Sequence, residues 1–342
     1  MSLCLLRNPA RNGGVFYALA VDRRSCLSLP PMSRQEDNRT LKGVSRSFYL
    51  SLRLLPAPMR KAASLGYLLA RTSDTVADTA TVDLNTRLDA LAGFAGAVAA
   101  HDSLPVWPKE LTATVADPRE QHLLTRSAAL IDSLRALPDG EAALVREVVA
   151  IIISGQQLDL ERFANASGAA PVALATAAEL DDYTWRVAGC VGEFWTKLGL
   201  LTLGATFSSQ PAAVLLPQAR DFGKALQLVN ILRDLPADLA TGRCYLPVSD
   251  PSDRTHLLAV HADWLNRATA WLAQARAYAS AIRSRRLRAA SLLPALLATE
   301  TLECLRGASW ESLQTRLKIP RRRVYALLFR AMIAPPFHAD HP

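Results

Sequence analysis

Four aspartates stand in two pairs of identical internal spacing, Asp74-x-x-x-Asp78 and Asp234-x-x-x-Asp238. Residues four apart share one face of a helix, with Cβ atoms about 6 Å apart. Two carboxylates so placed can share a hard cation. Mg²⁺ takes oxygen ligands and is usually held by one or two carboxylates, with substrate phosphates completing its shell. The chemistry open to two such pairs is to hold diphosphates between facing helices through bridging Mg²⁺. A single copy also arises by chance on a solvated helix face. Here both copies close segments that are otherwise apolar, and each has an arginine nearby, Arg71 and Arg233. Like charges at i,i+4 destabilise a bare helix by about a few tenths of a kcal/mol, which a cation would offset. Pro236, inside the second copy, is expected to end or distort its helix and so to place Asp238 at a helix end or in a loop.

The elements that must position these groups read as helical almost throughout. Apolar residues recur every three to four positions over 58–78 (Ala62, Leu65, Leu68, Leu69, Val76), with Pro58 suited to a first helical turn. Further helices are expected over 84–100, 122–136, 141–163, 172–206, 212–234, 258–283 and 290–305, with a short basic helix after Pro320. Pro105, Pro108 and Pro118 mark an irregular link, Pro138-Asp139-Gly140 a turn, and 164–171 and 247–253 loops. No strand or hairpin pattern emerges.

Composition agrees with this. Half of the 342 residues are hydrophobic and a fifth are charged, which permits a sizeable core. The net charge of +8 suits polyanionic substrates, nucleic acid or an anionic membrane surface. No nucleic-acid-binding signature accompanies it. The five cysteines form no CxxC and suit reduced thiols in a cytoplasmic protein, and the six histidines form no zinc motif. The longest apolar runs, near 92–100 and 148–153, are far short of the roughly 18 residues of a membrane span. Any membrane contact is therefore expected to be peripheral. Residues 1–31, with Arg7, Arg11, Arg23 and Arg24 and a Pro30-Pro31 stop, suit a targeting peptide. The preferred reading is a disordered or wrongly assigned extension, with Met32 as the start. One domain is expected over 32–330 and a tail over 331–342.

Several segments together resemble the squalene/phytoene synthase family over roughly residues 40–330. They are Ser45-Arg-Ser-Phe48-Tyr49; Tyr67-Leu-Leu-Ala-Arg71-Thr-Ser-Asp74-Thr-Val-Ala-Asp78; Tyr183-Thr-Trp-Arg-Val187-Ala-Gly189-Cys-Val191-Gly192; and Gly223-Lys-Ala-Leu-Gln227-Leu-Val-Asn230-Ile-Leu-Arg233-Asp234, continuing through Asp238 to Gly242-Arg243-Cys-Tyr245-Leu-Pro247. The resemblance implies an all-α, single-domain isoprenoid synthase bundle with a central cavity. It also implies metal binding by Asp74, Asp78, Asn230, Asp234 and Asp238, and diphosphate contacts from Ser45, Arg71, Gln227, Asn230, Arg233, Arg243 and Tyr245. Tyr183 would assist proton removal or steady a cation. Phe48, Tyr67, Val187, Val191, Gly192 and Gly223 would wall the cavity, and Gly189, Gly192 and Gly223 would allow close helix approach or room for substrate. Two departures stand out: Val44 precedes Ser45, and Glu193-Phe194-Trp195-Thr196 is bulkier than the family pattern, which bears on pocket shape or chain length.

The reaction implied is Mg²⁺-dependent, head-to-head condensation of two farnesyl diphosphates through a cyclopropyl intermediate to squalene or a dehydro or hydroxy relative. NADPH would be needed only for a reduced product. The rival within the class is a phytoene synthase acting on geranylgeranyl diphosphate; cyclisation of one prenyl diphosphate is a further variant. A different class is a non-catalytic helical protein on a membrane surface, which should have a broken aspartate motif, and both motifs are intact. The expected partners are prenyl diphosphates and no nucleic acid, with the chain a monomer and a peripheral membrane contact serving product release.

Overall fold

The structure, a computed structural model, describes residue 41 and residues 48–100, 104–315 and 319–333. Among these, α1 (Phe48–Leu54), α2 (Ala57–Asp78), α3 (Leu84–Ala99), α4 (Lys109–Thr114), α5 (Pro118–Thr125), α6 (Ser127–Arg135) and α7 (Asp139–Arg162) precede a short strand, β1 (Val172–Leu174). Then come α8 (Ala177–Thr184), a π-helical turn (Trp185–Gly189), α9 (Cys190–Leu203) and the long α10 (Ala212–Ala240). The chain continues through β2 (Arg243–Pro247), α11 (Arg254–Ala281), α12 (Arg285–Leu305), α13 (Trp310–Gln314) and α14 (Arg321–Ile333). The expected all-α isoprenoid synthase bundle is what forms. Its core lies where α10 packs against α9 and α11, and α2 against α7.

Local chemistry fixes many of the boundaries. Pro56 precedes α2 and Pro138 precedes α7. Asp83 caps α3 by accepting from the Thr86 amide at 2.9 Å, and Thr176 with Glu179 forms a reciprocal capping box at the start of α8. Where α9 and the π turn cross α10, backbones touch: a Cβ on Gly192 would lie 2.0 Å from the Ala219 carbonyl oxygen, and one on Gly223 2.3 Å from that of Ala188. Only glycine permits that approach.

The structure departs from the sequence expectations in several places: the expected irregular link between Pro105 and Pro118 carries α4, and the turn expected at Pro138-Asp139-Gly140 opens α7. The expected helix over 172–206 is a strand, a helix, a π turn and a second helix. The helix expected over 122–136 is two, α5 and α6. Helix α10 runs past Pro236 to Ala240 rather than stopping at 234, leaving Asp238 in its last turn. A parallel β1–β2 pair exists, joining Val172 to Arg243 and Ala173 to Cys244. The expectations for residues 1–31 and for most of the 331–342 tail lie outside the described residues. No helix among the described residues is long and apolar enough to cross a membrane.

Candidate active site

On α2, Tyr67, Arg71, Asp74 and Asp78 recur at offsets of 4, 7 and 11 residues. At 3.6 residues per turn these positions form one stripe. The opposite face buries Leu68, Leu69 and Val76, each at most 1% exposed. Burial of such side chains stabilises by about 1.5–3 kcal/mol each. That outweighs the two penalties the acids impose, about a few tenths of a kcal/mol for Asp74 beside Asp78, and about 0.3–1 kcal/mol for a carboxylate at a helix C-terminus. Asp78 is the last residue of α2, so it sits where the helix dipole already disfavours negative charge. A cation is the natural complement.

Arg71 pairs with Asp74 on its own helix and with Glu120 on α5. Burial works against its charge, but those two carboxylates more than offset it and its pKa is raised. Gln156 on α7 donates from Nε2 to Asp74 Oδ1 at 3.5 Å, while its own Oε1 is buried and accepts no hydrogen bond from the described residues. Burial also pushes the Tyr67 hydroxyl far above the usual range, so it stays protonated. From α3, Arg87 donates to the Ala77 carbonyl at 3.0 Å; burial, then the charge of Arg243, lowers its pKa.

The second stripe lies on α10, where Gln227, Asn230, Asp234 and Asp238 recur at offsets of 3, 7 and 11. Gln227 and Asn230 are each 3% exposed, and Asn230 Nδ2 donates to Gln227 Oε1 at 3.5 Å. Arg233 grips Asp234 with two bonds, of 2.8 and 2.5 Å. Pro236 has no N–H to give the Leu232 carbonyl one turn back. His261, from α11, supplies the missing donor: its Nε2 lies 3.1 Å from that oxygen. A carbonyl can only accept, so Nε2 carries the proton. Burial lowers the His261 pKa, in keeping with a neutral ring. Upstream, the buried Lys224 reaches from α10 to Asp181 on α8 at 2.5 Å and lies 4.3 Å from the Trp271 ring centroid. It ties α8, which carries Tyr183, to α10.

A narrow, solvent-open cleft lies beside the first stripe, lined by Asp74, Ala77, Asp78, Ile152, Gln156, Asp159, Leu160, Tyr183, Val187, Gln227 and Arg243. Strand β2 explains two of the site's groups. Alternate residues of a strand share a face, so Arg243 and Tyr245 point the same way. Arg243 reaches Asp159 at 3.3 Å. Tyr245 stacks on Tyr183 with centroids 4.8 Å apart, and Phe163 meets Tyr245 edge-on at 5.1 Å. The turn into β2 needs Gly242, whose φ is +89°.

Of the residues singled out in the sequence, Asp74, Asp78, Tyr183, Val187, Gln227 and Arg243 line this cleft together. Asn230, Asp234 and Asp238 continue the Gln227 stripe along α10 without lining it, and Tyr67, Arg71, Arg233 and Tyr245 stand behind or beside lining residues. Val191 packs on the core. Gly192 and Gly223 line a separate small depression with Trp195, Phe222 and Tyr278. Ser45 and the Phe48 side chain lie outside the described residues; Phe48 opens α1. Sequence reasoning missed Gln156, Asp159, Glu120 and His261. For the first two a signal existed: Gly155-Gln156-Gln157-Leu158-Asp159 breaks the apolar run of α7 with polar residues on its buried side.

Among the described residues no group of three or more His, Cys, Asp or Glu could hold a metal by itself. Paired aspartates with neighbouring amides form an oxygen donor set that suits Mg²⁺ completing its shell from phosphate. The buried thiols offer no nucleophile, since burial pushes Cys190 up to about 12 and Cys244 up to about 11.

The family description "Squalene/phytoene synthase" matches residues 41–323. The chain belongs to that family. It is 32% identical over 209 residues to the 15-cis-phytoene synthase of Synechocystis, an alignment covering 60% of this chain and 53% of that protein. It is 29% identical over 213 residues to the presqualene diphosphate synthase of Zymomonas mobilis, covering 59% and 56%. The aligned part of the chain thus spans about half the length of these curated relatives. The solved complex of TcSQS with the ligand E5700 has the same fold, at a TM-score of 0.73 and 23% identity, covering 87% of this chain and 85% of that one. Metal binding and Mg²⁺ dependence are general in the family.

Proposed function

We propose that the chain is a Mg²⁺-dependent prenyltransferase, folded as one domain over 32–330, that joins two farnesyl diphosphates head to head through a cyclopropylcarbinyl diphosphate to squalene or a dehydro or hydroxy relative. One observation carries this reading. A single cleft sets Asp74, Asp78, Asp159, Gln227 and Arg243 against an apolar and aromatic wall of Ala77, Ile152, Leu160, Val187 and Tyr183. Its lining is amphiphilic, as a molecule with an anionic head and a hydrocarbon tail requires.

Asp74 and Asp78, with Asn230, Asp234 and Asp238, would hold the Mg²⁺. When bound, that ion neutralises the leaving diphosphate. Arg71, Arg233 and Arg243 bind phosphate oxygens, for which a guanidinium has matching bidentate geometry. The apolar wall excludes water from a reactive allylic cation. Tyr183, backed by the stacked Tyr245, would offer its ring to such a cation, a contact worth about 0.5–2 kcal/mol, and its hydroxyl would assist proton removal. NADPH enters only if the product is reduced. We further propose a monomer that acts on prenyl diphosphates, binds no nucleic acid and meets the membrane peripherally.

A second reading, two geranylgeranyl diphosphates giving phytoene, is favoured by the 32% identity to a phytoene synthase. One assay separates the readings: purified protein with Mg²⁺ and either farnesyl or geranylgeranyl diphosphate, with and without NADPH, and identification of the hydrocarbon. A C30 product from farnesyl diphosphate is expected. A C40 product alone would move the assignment to phytoene, and no condensation product, hydrocarbon or alcohol, from either substrate would refute the enzyme.

A further inference from the structure

The charge of this chain is concentrated in one segment. Residues 283–333 hold eleven Lys and Arg against three Glu, a net of +8, which equals the net charge of the whole chain. The rest of the sequence therefore sums to zero. This basic segment is remote in kind from the acid-lined cleft, and the chemistry above makes no use of it.

Two elements of the segment lie side by side. Ala331, in the last turn of α14, is buried with Ala289 and Leu292 of α12 and Ala279 of α11. That packing brings the end of α14, with Arg330, next to the start of α12, where Arg283, Arg285 and Arg286 are exposed. Toward its other end, α14 is tied to α12 by Arg323 Nε on Glu300 at 3.0 Å. Glu300 is thereby neutralised, and Glu303 is the other acid on α12. Helix α14 buries Leu327 and Ala331 and turns the opposite stripe outward: Arg322, Tyr325, Ala326, Phe329 and Arg330. Tyr325 is 62% and Phe329 67% exposed. Exposed aromatics flanked by arginines, on a helix lying flat on the surface, match an interfacial helix: rings enter the headgroup boundary while cations meet anionic headgroups. A nucleic acid would meet the arginines but has no use for two neighbouring outward rings on a helix bearing no recognition motif.

We infer that the outer face of α14, together with the exposed arginines at the start of α12, is a docking surface for an anionic lipid bilayer. The attraction is long-ranged and salt-sensitive through the arginines and short-ranged through Tyr325 and Phe329. The surface gives the peripheral membrane contact proposed above a location, and it stands independently of the reaction.

The test is co-sedimentation of the full chain with vesicles. Vesicles of phosphatidylcholine containing phosphatidylglycerol should retain the protein at low salt, and pure phosphatidylcholine vesicles should retain several-fold less. Raising salt to about 0.5 M, where the Debye length is only a few Å, should release most of it. The Tyr325→Ser/Phe329→Ser variant should bind about tenfold more weakly, since the interfacial apolar area is gone. Arg322→Gln/Arg330→Gln should bind more weakly and lose part of the salt dependence. These side chains are exposed, so circular dichroism should be unchanged. Val106→Ser, which removes an 87% exposed apolar side chain outside the segment, should bind as the parent does. Equal retention by neutral and anionic vesicles, no retention by either, or undiminished binding of the Tyr325→Ser/Phe329→Ser variant would each overturn the inference. Formation of a condensation product in vesicle-free buffer reads the catalytic proposal separately: a chain that binds vesicles and makes no such product loses the reaction and keeps the surface.

Discussion

Helix α2 carries Tyr67, Arg71, Asp74 and Asp78 to its final residue without interruption, whereas α10 carries Asp234 and Asp238 on either side of Pro236. The two stripes have nearly the same spacing and different supports. On α2 the acids are held by charge: Arg71 spans Asp74 and Glu120, and Gln156 leans on Asp74. On α10 the stripe crosses a missing backbone bond, repaired by His261 from a neighbouring helix. One spacing can thus be built by ion pairs along one face or by a backbone repair from outside. The first should respond to charge removal and the second to loss of a single hydrogen bond.

The largest expected effects treat the stripes alike. Asp74→Asn and Asp234→Asn should each lower turnover by about 10²–10³-fold or more, as losses of transition-state electrostatics do, with helical circular dichroism unchanged. Retained activity in Asp234→Asn alone would make the second pair a structural feature and leave catalysis to the first.

The next effect should separate the stripes. Glu120→Gln removes one of the two carboxylates on Arg71, which then leans wholly on Asp74. Turnover should fall about tenfold, with a raised Mg²⁺ requirement in a metal titration. An unchanged titration would show that Glu120 does not tune the first pair.

A smaller effect belongs to the second stripe. His261→Leu leaves the Leu232 carbonyl buried without its donor, at a cost of about 1–3 kcal/mol in denaturant unfolding. Pro236→Ala restores the N–H within α10, so the histidine change should cost measurably less in that background. Additive costs would break the repair argument.

The smallest effect is in pH. The folded pKa of His261 is lowered from 6.5, chiefly by burial. A lowered folded value means that the unfolded chain takes up the proton first, so the stability contributed is full above about 6.5 and is lost as pH falls through the folded value. Melting temperature measured from pH 8 to 5 should show this loss, and His261→Gln, which can donate but does not titrate, should flatten it.

Much of this was legible in the sequence because it is local. Period-3.6 patterning gave most of the helices, and the aspartate, tyrosine, amide and arginine motifs gave six cleft residues. What stayed hidden depends on partners distant in the chain. Strands β1 and β2 are three and five residues long and pair across some seventy positions, too short to show alternation. Pro236 read as a helix stop because the compensating donor, His261, comes from another helix. Glu120 carries no mark of its role in the sequence, because the arginine it pairs with, Arg71, lies on another helix. The capping box Thr176/Glu179 marks the start of α8 and is readable in the sequence, but the single helix expected over 172–206 passes over it.

The most direct test of the two-stripe site is calorimetric titration of a farnesyl diphosphate analogue that cannot ionise, with and without Mg²⁺, into the parent chain and into Asp74→Asn and Asp234→Asn. Binding that needs Mg²⁺ and is weakened in both variants is expected. Binding that is indifferent to Mg²⁺, or unaltered in either variant, would contradict a diphosphate held through both aspartate pairs.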